Sequence, residues 1–408
     1  MRQRFIVSSA IDAERLERSN EEKILFGKAN YSWKLISKKY SDALCDLNYE
    51  VRRIIRPEIY QSKVAKSIIG LGDSTYHLAV KPVEHIRQIY GAYNIFVSGW
   101  EFPELCVTSW DGNPFNNQVG VLRHADSIWC WSDYTRDNLR RYGLEQAITL
   151  PPPAVAHSRT NSVGIGHIDA LCLRTEEPVQ AADIIPLERA LSRISNPTVF
   201  ISVLNPFDRR KQFPMMIRAF LENVAKHQNA VLIVKLIIDN EGTTLPNIQE
   251  ILRGLYDCHG STENIIFIGA QMSDEEMAGL NSSADFYLCT SSTEGLNLPL
   301  IEAMSVGVIP VSTSATAMGD YIDPSVAIVV EHAKMMTDGP YHFLHERLAT
   351  SHFPPVFESL VEGLGTASSL DKRGRSSLSQ AASHRVHDRF GLGEFQRRVV
   401  NTLGGISK

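Results

Sequence analysis

No apolar run in this chain approaches the roughly 20 residues that a membrane-spanning helix needs. The most apolar stretch, Ala230 to Ile238, is broken by Lys235 and reads as a buried strand. The N-terminus, Met-Arg-Gln-Arg-Phe-Ile-Val-Ser-Ser, opens directly on a strand pattern without the apolar core of a signal peptide. Six cysteines (Cys45, Cys106, Cys130, Cys172, Cys258, Cys289) are scattered without a CxxC pair. That argues against zinc or a disulfide framework and suggests reduced thiols in a cytoplasmic protein. Asp-x-Asp clusters and His/Cys ligand sets are missing too, so the expected chemistry has no essential metal and no bound cofactor. Gly70-Leu71-Gly72 has Thr75 where a third glycine would complete a dinucleotide fingerprint, so that motif fails. Internal repeats and low-complexity tracts are absent.

What remains is a globular composition, 43% apolar and 21% charged, over 408 residues. That length exceeds one ordinary core and predicts two domains. The net charge of −5 gives no general reason for a nucleic-acid partner. Residues 1–66 nevertheless carry 14 Lys/Arg against 9 Asp/Glu, a net +5. This region is either a solvated helix face or a surface for peripheral contact with the inner face of a membrane or with an acidic acceptor.

Strand-like and helix-like segments alternate along the chain, which predicts α/β architecture with parallel sheets covered on both faces. The first series comprises strands Phe5–Ser8, Val51–Ile55, Ser67–Leu71, Ile95–Ser98, Ser127–Trp131 and Ala147–Leu150. A helix capped by Ser32 and a helix Asp133–Tyr142 lie among them. Pro151 to Pro197 reads as a junction. A clearer second series follows: strand Thr198–Val203, helix Pro214–Lys226, strand Val231–Ile238, helix Leu245–Tyr256, strand Ile265–Ile268, helix Asp274–Asn281, strand Phe286–Cys289, helix Pro299–Ser305 and strand Val308–Ser312. The tail Arg373–Leu403 reads as helical, interrupted near Gly391–Gly393. The expected division is 1–175, joined by the C-terminal helix 375–408, and 176–374. Two doubly wound domains in series bind ligands where strand carboxyl ends meet across a cleft.

The strongest signal is Thr293-Glu294-Gly295-Leu296-Asn297-Leu298-Pro299-Leu300-Ile301-Glu302-Ala303-Met304, followed by Gly307 and a strand. Glu294 leaves a strand end, Gly295 permits close backbone approach to a ligand, and Pro299 suits a first helical turn. The helix start offers free N–H groups and partial positive charge to a pyrophosphate, and the two carboxylates suit sugar and ribose hydroxyls. A second signal, Asn205-Pro206-Phe207-Asp208-Arg209-Arg210-Lys211, is either an exposed basic helix start or a cluster that neutralises a diphosphate leaving group. Lys235, in an otherwise apolar strand, either ends near the donor or pairs with a buried acid.

These motifs resemble the family 4 retaining glycosyltransferases, which have the two-Rossmann GT-B fold and a Glu-x7-Glu motif, in particular the bacterial cell-surface polysaccharide type. The resemblance covers the second domain and, more loosely, the first. It implies that Glu294 meets donor-sugar hydroxyls and Glu302 the ribose. It also implies that the backbone around Gly295, Leu296, Asn297 and Leu298 approaches sugar and phosphates, and that Lys211, beside Arg210, neutralises the diphosphate. Asn205 stands where many relatives carry an arginine, and Asn297 where many carry glycine. Gly269-Ala270-Gln271-Met272 resembles the nucleobase-contacting loop.

On the acceptor side, Ser98-Gly99-Trp100-Glu101-Phe102-Pro103 resembles a Trp-Glu motif of bacterial members. Glu101 then orients or deprotonates the acceptor hydroxyl and Trp100 stacks on a sugar, or the pair simply closes the core. His77 is either a cleft histidine by the same analogy or a satisfied structural one. The implied activity moves a sugar from a nucleotide diphosphate sugar to a glycan, glycolipid or lipid-linked acceptor with retention. A nucleotide-sugar epimerase, a phosphorylase or a non-catalytic scaffold of the same fold are the rivals.

Overall fold

A computed structural model describes residues 3–9, 29–60, 75–109, 112–154, 164–172, 184–237, 247–254, 263–337 and 348–404. Two sheets organise them. The first runs β1 (Arg4–Ser9), β2 (Glu50–Ile54), β3 (Thr75–Val80), β4 (Tyr93–Ser98), β5 (Ser127–Cys130) and β6 (Ala147–Thr149), in the order β2-β1-β3-β4-β5-β6, all parallel. The second contains β7 (Asp169–Leu171), β8 (Ile184–Pro186), β9 (Thr198–Leu204), β10 (Ala230–Leu236), β11 (Ile265–Ile268), β12 (Phe286–Cys289), β13 (Ile309–Thr313) and β14 (Ile328–Val330). Its order is β14-β13-β12-β9-β10-β11-β7-β8, parallel from β14 to β11 and antiparallel at β7 and β8.

Every residue of β9 and β10 is buried, as expected of parallel strands covered by helices on both faces. That coverage explains why these strands read as near-continuous apolar runs. The bounds of β11 and β12 coincide with the expected ones, and most other strands of the two series differ by one or two residues. Three expectations change. The helix expected to start after Ser32 begins at Ala29 and continues to Asp46. Strand β3 went unread because His77 and Thr75 interrupt its apolar pattern, although all six of its residues are buried. The junction contributes β7 and β8 to the edge of the second sheet. The expected strand Ser67–Leu71 lies outside the described residues, as does Cys258.

The five described cysteines are free thiols. Among the described residues no helix is long and apolar enough to cross a membrane. The C-terminal helices Lys372–Phe390 and Leu392–Gly404 return the chain to the first sheet. Ala154 N donates to Phe390 O at 2.7 Å, and the Tyr40 and Phe395 rings lie 5.7 Å apart.

The first and second sheets also meet through a carboxylate cluster. Asp320, at the end of a 3-10 turn, accepts from Asp133 N at 2.5 Å and lies 3.3 Å from Arg389, which also pairs with Asp133. Burial and the nearby Asp133 push the Asp320 carboxyl up to about 6, with Arg389 opposing. A carboxyl raised in the folded state favours folding below its unfolded value and loses that contribution as pH rises through about 6. The stability difference between wild type and Asp320→Asn should therefore shift in favour of the variant between about pH 4 and about pH 6. Urea unfolding of both proteins across that range measures it, and a flat difference would contradict the assignment.

Candidate active site in the cleft

Renumbered within its own domain, the parallel part of the second sheet has the order 3-2-1-4-5-6, and it reverses direction between β9 and β12. A crevice opens outside the carboxyl ends of strands at such a reversal. The loop after β9 carries Asp208, Arg210 and Lys211, and the loop after β12 carries Glu294. Topology alone thus brings together two motifs separated by more than eighty residues. Lys211 Nζ lies 2.5 Å from Glu294 Oε1. Burial works against the Lys211 charge, but Glu294 outweighs it and the ammonium titrates above its ordinary value.

The backbone reinforces the same meeting. Thr290 Oγ1 donates to Lys211 O at 2.7 Å, and Ser292 N donates to Arg210 O at 2.7 Å. Arg210 is gripped on two edges. Its Nε and Nη2 donate to the two Asp208 oxygens at 3.1 and 2.7 Å, and Nη1 reaches Glu101 of the first domain at 2.6 Å. Burial opposes the Arg210 charge, while Glu101 and Asp208 hold it well above its usual range. Asp208 is pushed up by burial but held below its ordinary value by Arg210 and Lys211. Sequence reasoning gave Asp208 no role, although an acid two residues before a basic pair is the signal of a guanidinium clamp.

Glu294 is also held from behind. Its N–H donates to Thr316 Oγ1 at 3.0 Å, and its carbonyl accepts from Ala317 N. Thr316 has φ +54°, a left-handed conformation that is an outlier for a β-branched residue. Strain of this kind concentrates where a side chain must be aimed. Asn297 also sits left-handed, at φ +67°, which explains why glycine or asparagine suits the position. Its side chain turns inward, donating to Cys289 Sγ at 3.3 Å, while Leu296 is buried and its carbonyl accepts from Tyr321. Leu298 begins the helix Leu298–Ser305 that carries Glu302.

The two domains touch at this point. A Cβ on Gly295 would lie 2.1 Å from the Gly99 carbonyl, and a Cβ on Gly99 would fall within the Trp131 ring. Thr293 Oγ1 donates to the Glu101 carbonyl across the same seam. Gly295 thus serves a close approach, here to the facing domain's backbone. Trp100 braces the seam from the first domain, its Nε1 donating to Glu104 O at 2.7 Å.

Beside the ion pairs lies a cavity of about 490 Å³. Lys235, Met272 and Glu302 line it, with Asn281 and the helix Ala29–Asp46 completing the walls. Lys235 is 2% exposed and its ammonium donates to Leu236 O at 2.7 Å. The Asn281 Oδ1 is buried and has no hydrogen-bond partner among the described residues. Such an orphan acceptor calls for a donor, and an occupant with N–H or O–H groups would supply one. Gln271 is exposed at the cavity's edge loop, and Asn205 Oδ1 accepts from Phe207 N at 2.9 Å in its own turn.

His77 is elsewhere. It is fully buried in β3, with Nε2 2.9 Å from Ser8 Oγ and Nδ1 2.9 Å from Asn94 Oδ1. Burial pushes the imidazole down to about 4. With both ring nitrogens engaged, its placement is that of the satisfied structural histidine.

Residues 196–339 match the family model described as glycosyl transferases group 1. The chain is 24% identical over 210 residues to the N-acetyl-alpha-D-glucosaminyl L-malate synthase of Bacillus anthracis, covering 50% of this chain and 51% of that protein. It is 31% identical over 77 residues to the GDP-mannose:cellobiosyl-diphosphopolyprenol alpha-mannosyltransferase of Komagataeibacter xylinus, covering 19% and 20%. The chain thus matches about half the length of one curated relative and a fifth of the other.

Among solved structures, sucrose-phosphate synthase from Thermosynechococcus elongatus superposes with a TM-score of 0.61 at 14% identity, over 99% of both chains. The trehalose 6-phosphate synthase of Burkholderia multivorans gives 0.59 at 13% identity, over 100% of this chain and 99% of that one. The likeness to these structures is one of fold, the architecture being GT-B, and the segment 196–339 is similar to the group 1 glycosyl transferases.

The contact between Gly295 and Gly99 makes a sharp prediction. Gly295→Ala places a methyl against backbone, which cannot swing aside, so the domains must separate locally. Small-angle scattering should show a larger radius for the variant, and thermal unfolding should show it destabilised by at least about 1 kcal/mol. An unchanged radius and stability would mean that the close approach is not maintained in solution.

Proposed function

We propose that this chain transfers a sugar from a nucleotide diphosphate sugar to a hydroxyl of a glycan or glycolipid acceptor, with retention and without a metal. The observation that carries this reading is the convergence of Lys211, Arg210 and Glu294 at the strand reversal of the second sheet, beside a cavity bordered by Glu302. In this reading the donor's nucleotide occupies the cavity, with Glu302 at the ribose and the Met272 loop at the base. Lys211 and Arg210 carry two fixed positive charges to the place where the leaving diphosphate develops negative charge, which is where preorganised charge accelerates a reaction. They perform there the neutralisation that a metal performs elsewhere.

Glu294, once its lysine turns to the diphosphate, is free to accept from donor-sugar hydroxyls. Glu101 stands across the cleft, 2.6 Å from Arg210, where it can orient an acceptor hydroxyl. Both motif carboxylates belong to one loop and helix of one domain. That favours holding a donor over flanking a glycosidic bond from two sides, as a hydrolase pair does. The proposed division of labour gives residues 176–374 to the donor, and residues 1–175 with the helix 375–408 to the acceptor.

The test is a thermal-shift and turnover screen against UDP-, GDP-, TDP- and ADP-sugars, run with and without a chelator, for wild type, Glu294→Ala and Lys211→Ala. One donor should stabilise the wild type, the chelator should leave turnover intact, and Lys211→Ala should lower turnover by about a hundredfold or more. The anomeric configuration of the product reports retention directly. Isomerised donor without acceptor would indicate an epimerase, phosphate-dependent turnover a phosphorylase, and no response to any nucleotide a scaffold. Each of these outcomes would overturn the reading.

A further inference from the structure

We propose that Lys39, from the first domain, is a positioning residue of the nucleotide site: it clasps Glu302 across the cleft and couples donor occupancy to domain closure. The inference rests on the donor reading of Glu302 given above. Lys39 Nζ lies 3.1 Å from Glu302 Oε1, with the two side chains 15% and 31% exposed. Lys39 sits in the middle of the helix Ala29–Asp46, and Glu302 in the helix Leu298–Ser305 of the second domain. Both line the 490 Å³ cavity, whose wall on the first-domain side includes Leu35, Lys38, Asp42 and Ala43 of the same helix. That helix is a firm platform, because Tyr40 Oη donates to Leu150 O at 2.6 Å and its ring packs on Phe395.

The neighbouring charges leave Lys39 to Glu302. Lys38 pairs with Asp42 one turn along at 2.7 Å, and Arg53 takes the other Asp42 oxygen at 3.1 Å. A carboxylate has two oxygens. Lys39 engages Oε1 and fixes the side-chain rotamer, which leaves Oε2 for ribose hydroxyls. The helix that carries the lysine walls one side of the cavity, so the position of that helix sets the width of the space a nucleotide would occupy. Ribose binding and closure therefore share one carboxylate.

The pair has a counterpart at the transfer end, where Arg210 meets Glu101 across the same cleft at 2.6 Å. The two differ in support. Arg210 is also gripped by Asp208 of its own domain and keeps a partner when the cleft opens, whereas the Lys39–Glu302 contact exists only while the domains are together. Lys39 is thus a contact at the cavity that reports closure.

Lys39→Met, which keeps the stem and removes the charge, and the exchange Lys39→Glu with Glu302→Lys separate this role from simple packing. Two readouts are needed: the radius of gyration of the ligand-free protein by small-angle scattering, and the affinity for UDP, GDP, TDP and ADP by calorimetry. Lys39→Met should enlarge the radius and weaken the nucleotide that wild type binds by about fivefold to tenfold. The exchanged pair should restore the radius but not the affinity, because it removes the ribose carboxylate. A Lys39→Met protein matching wild type in both radius and affinity would overturn the inference. Wild type binding none of the four nucleotides would overturn the donor reading instead, while the radius still tests the clasp.

Discussion

Charge held out of water must be answered by opposite charge, and the cleft of this protein is built on that requirement. Lys211 and Arg210 are largely withdrawn from solvent, and acids answer both: Glu294 from the loop after β12 for one, Asp208 of its own loop and Glu101 of the first domain for the other. Breaking such a pair from one side strands a desolvated charge, which costs far more than the pair contributes when intact. The loops after β9 and β12 are therefore tied to each other, and the first domain is tied to both. An anionic ligand entering here would exchange one set of negative partners for another, so the site can hold its cations ready without leaving them unsatisfied.

That electrostatic bond is matched by a steric one. Gly295 and Gly99 let two backbones meet with no room for a side chain, and Thr293 bridges the same seam to the Glu101 carbonyl. Close backbone approach shortens every side-chain reach across the cleft, which is what brings Arg210 onto Glu101. Thr316 is part of the same arrangement. A threonine at φ +54° is unfavourable in isolation, and it persists because its hydroxyl receives the Glu294 N–H. Local conformation has been subordinated to the aim of one carboxylate.

The alternation of strands and helices was legible because buried parallel strands leave continuous apolar runs, and β11 and β12 came out with their observed bounds. The Glu294 to Glu302 segment and the Arg210-Lys211 pair were legible as motifs, since each packs glycine, proline and charge into a few residues. Less could be read where meaning depends on distant partners. Gly295 was expected to make room for a ligand, but what lies against it is the Gly99 carbonyl. His77 reads in the sequence as a structural histidine with a cleft role as the alternative, and Ser8 and Asn94 on its two nitrogens bear out the structural reading. Asp208 lay inside the basic motif without a role, although its place two residues before the basic pair suits the clamp it forms on Arg210. Lys39 was one lysine among several on a helix whose facing surface belongs to the other domain.

The same logic separates the two ends of the cleft. At the ion-paired end, two cations are answered by three acids drawn from both domains, so an anionic group would enter by taking the place of some of those acids. At the other end, one lysine from the first domain meets one glutamate from the second at a cavity also lined by Asn281, whose Oδ1 has no hydrogen-bond partner among the described residues. A charged phosphate group belongs with the first environment. A neutral partner rich in N–H and O–H donors belongs with the second, because it can satisfy Asn281 and Glu302 without adding charge. The proposed nucleotide diphosphate has both parts, a charged one for Lys211 and Arg210 and a donor-rich one for the cavity beside Glu302.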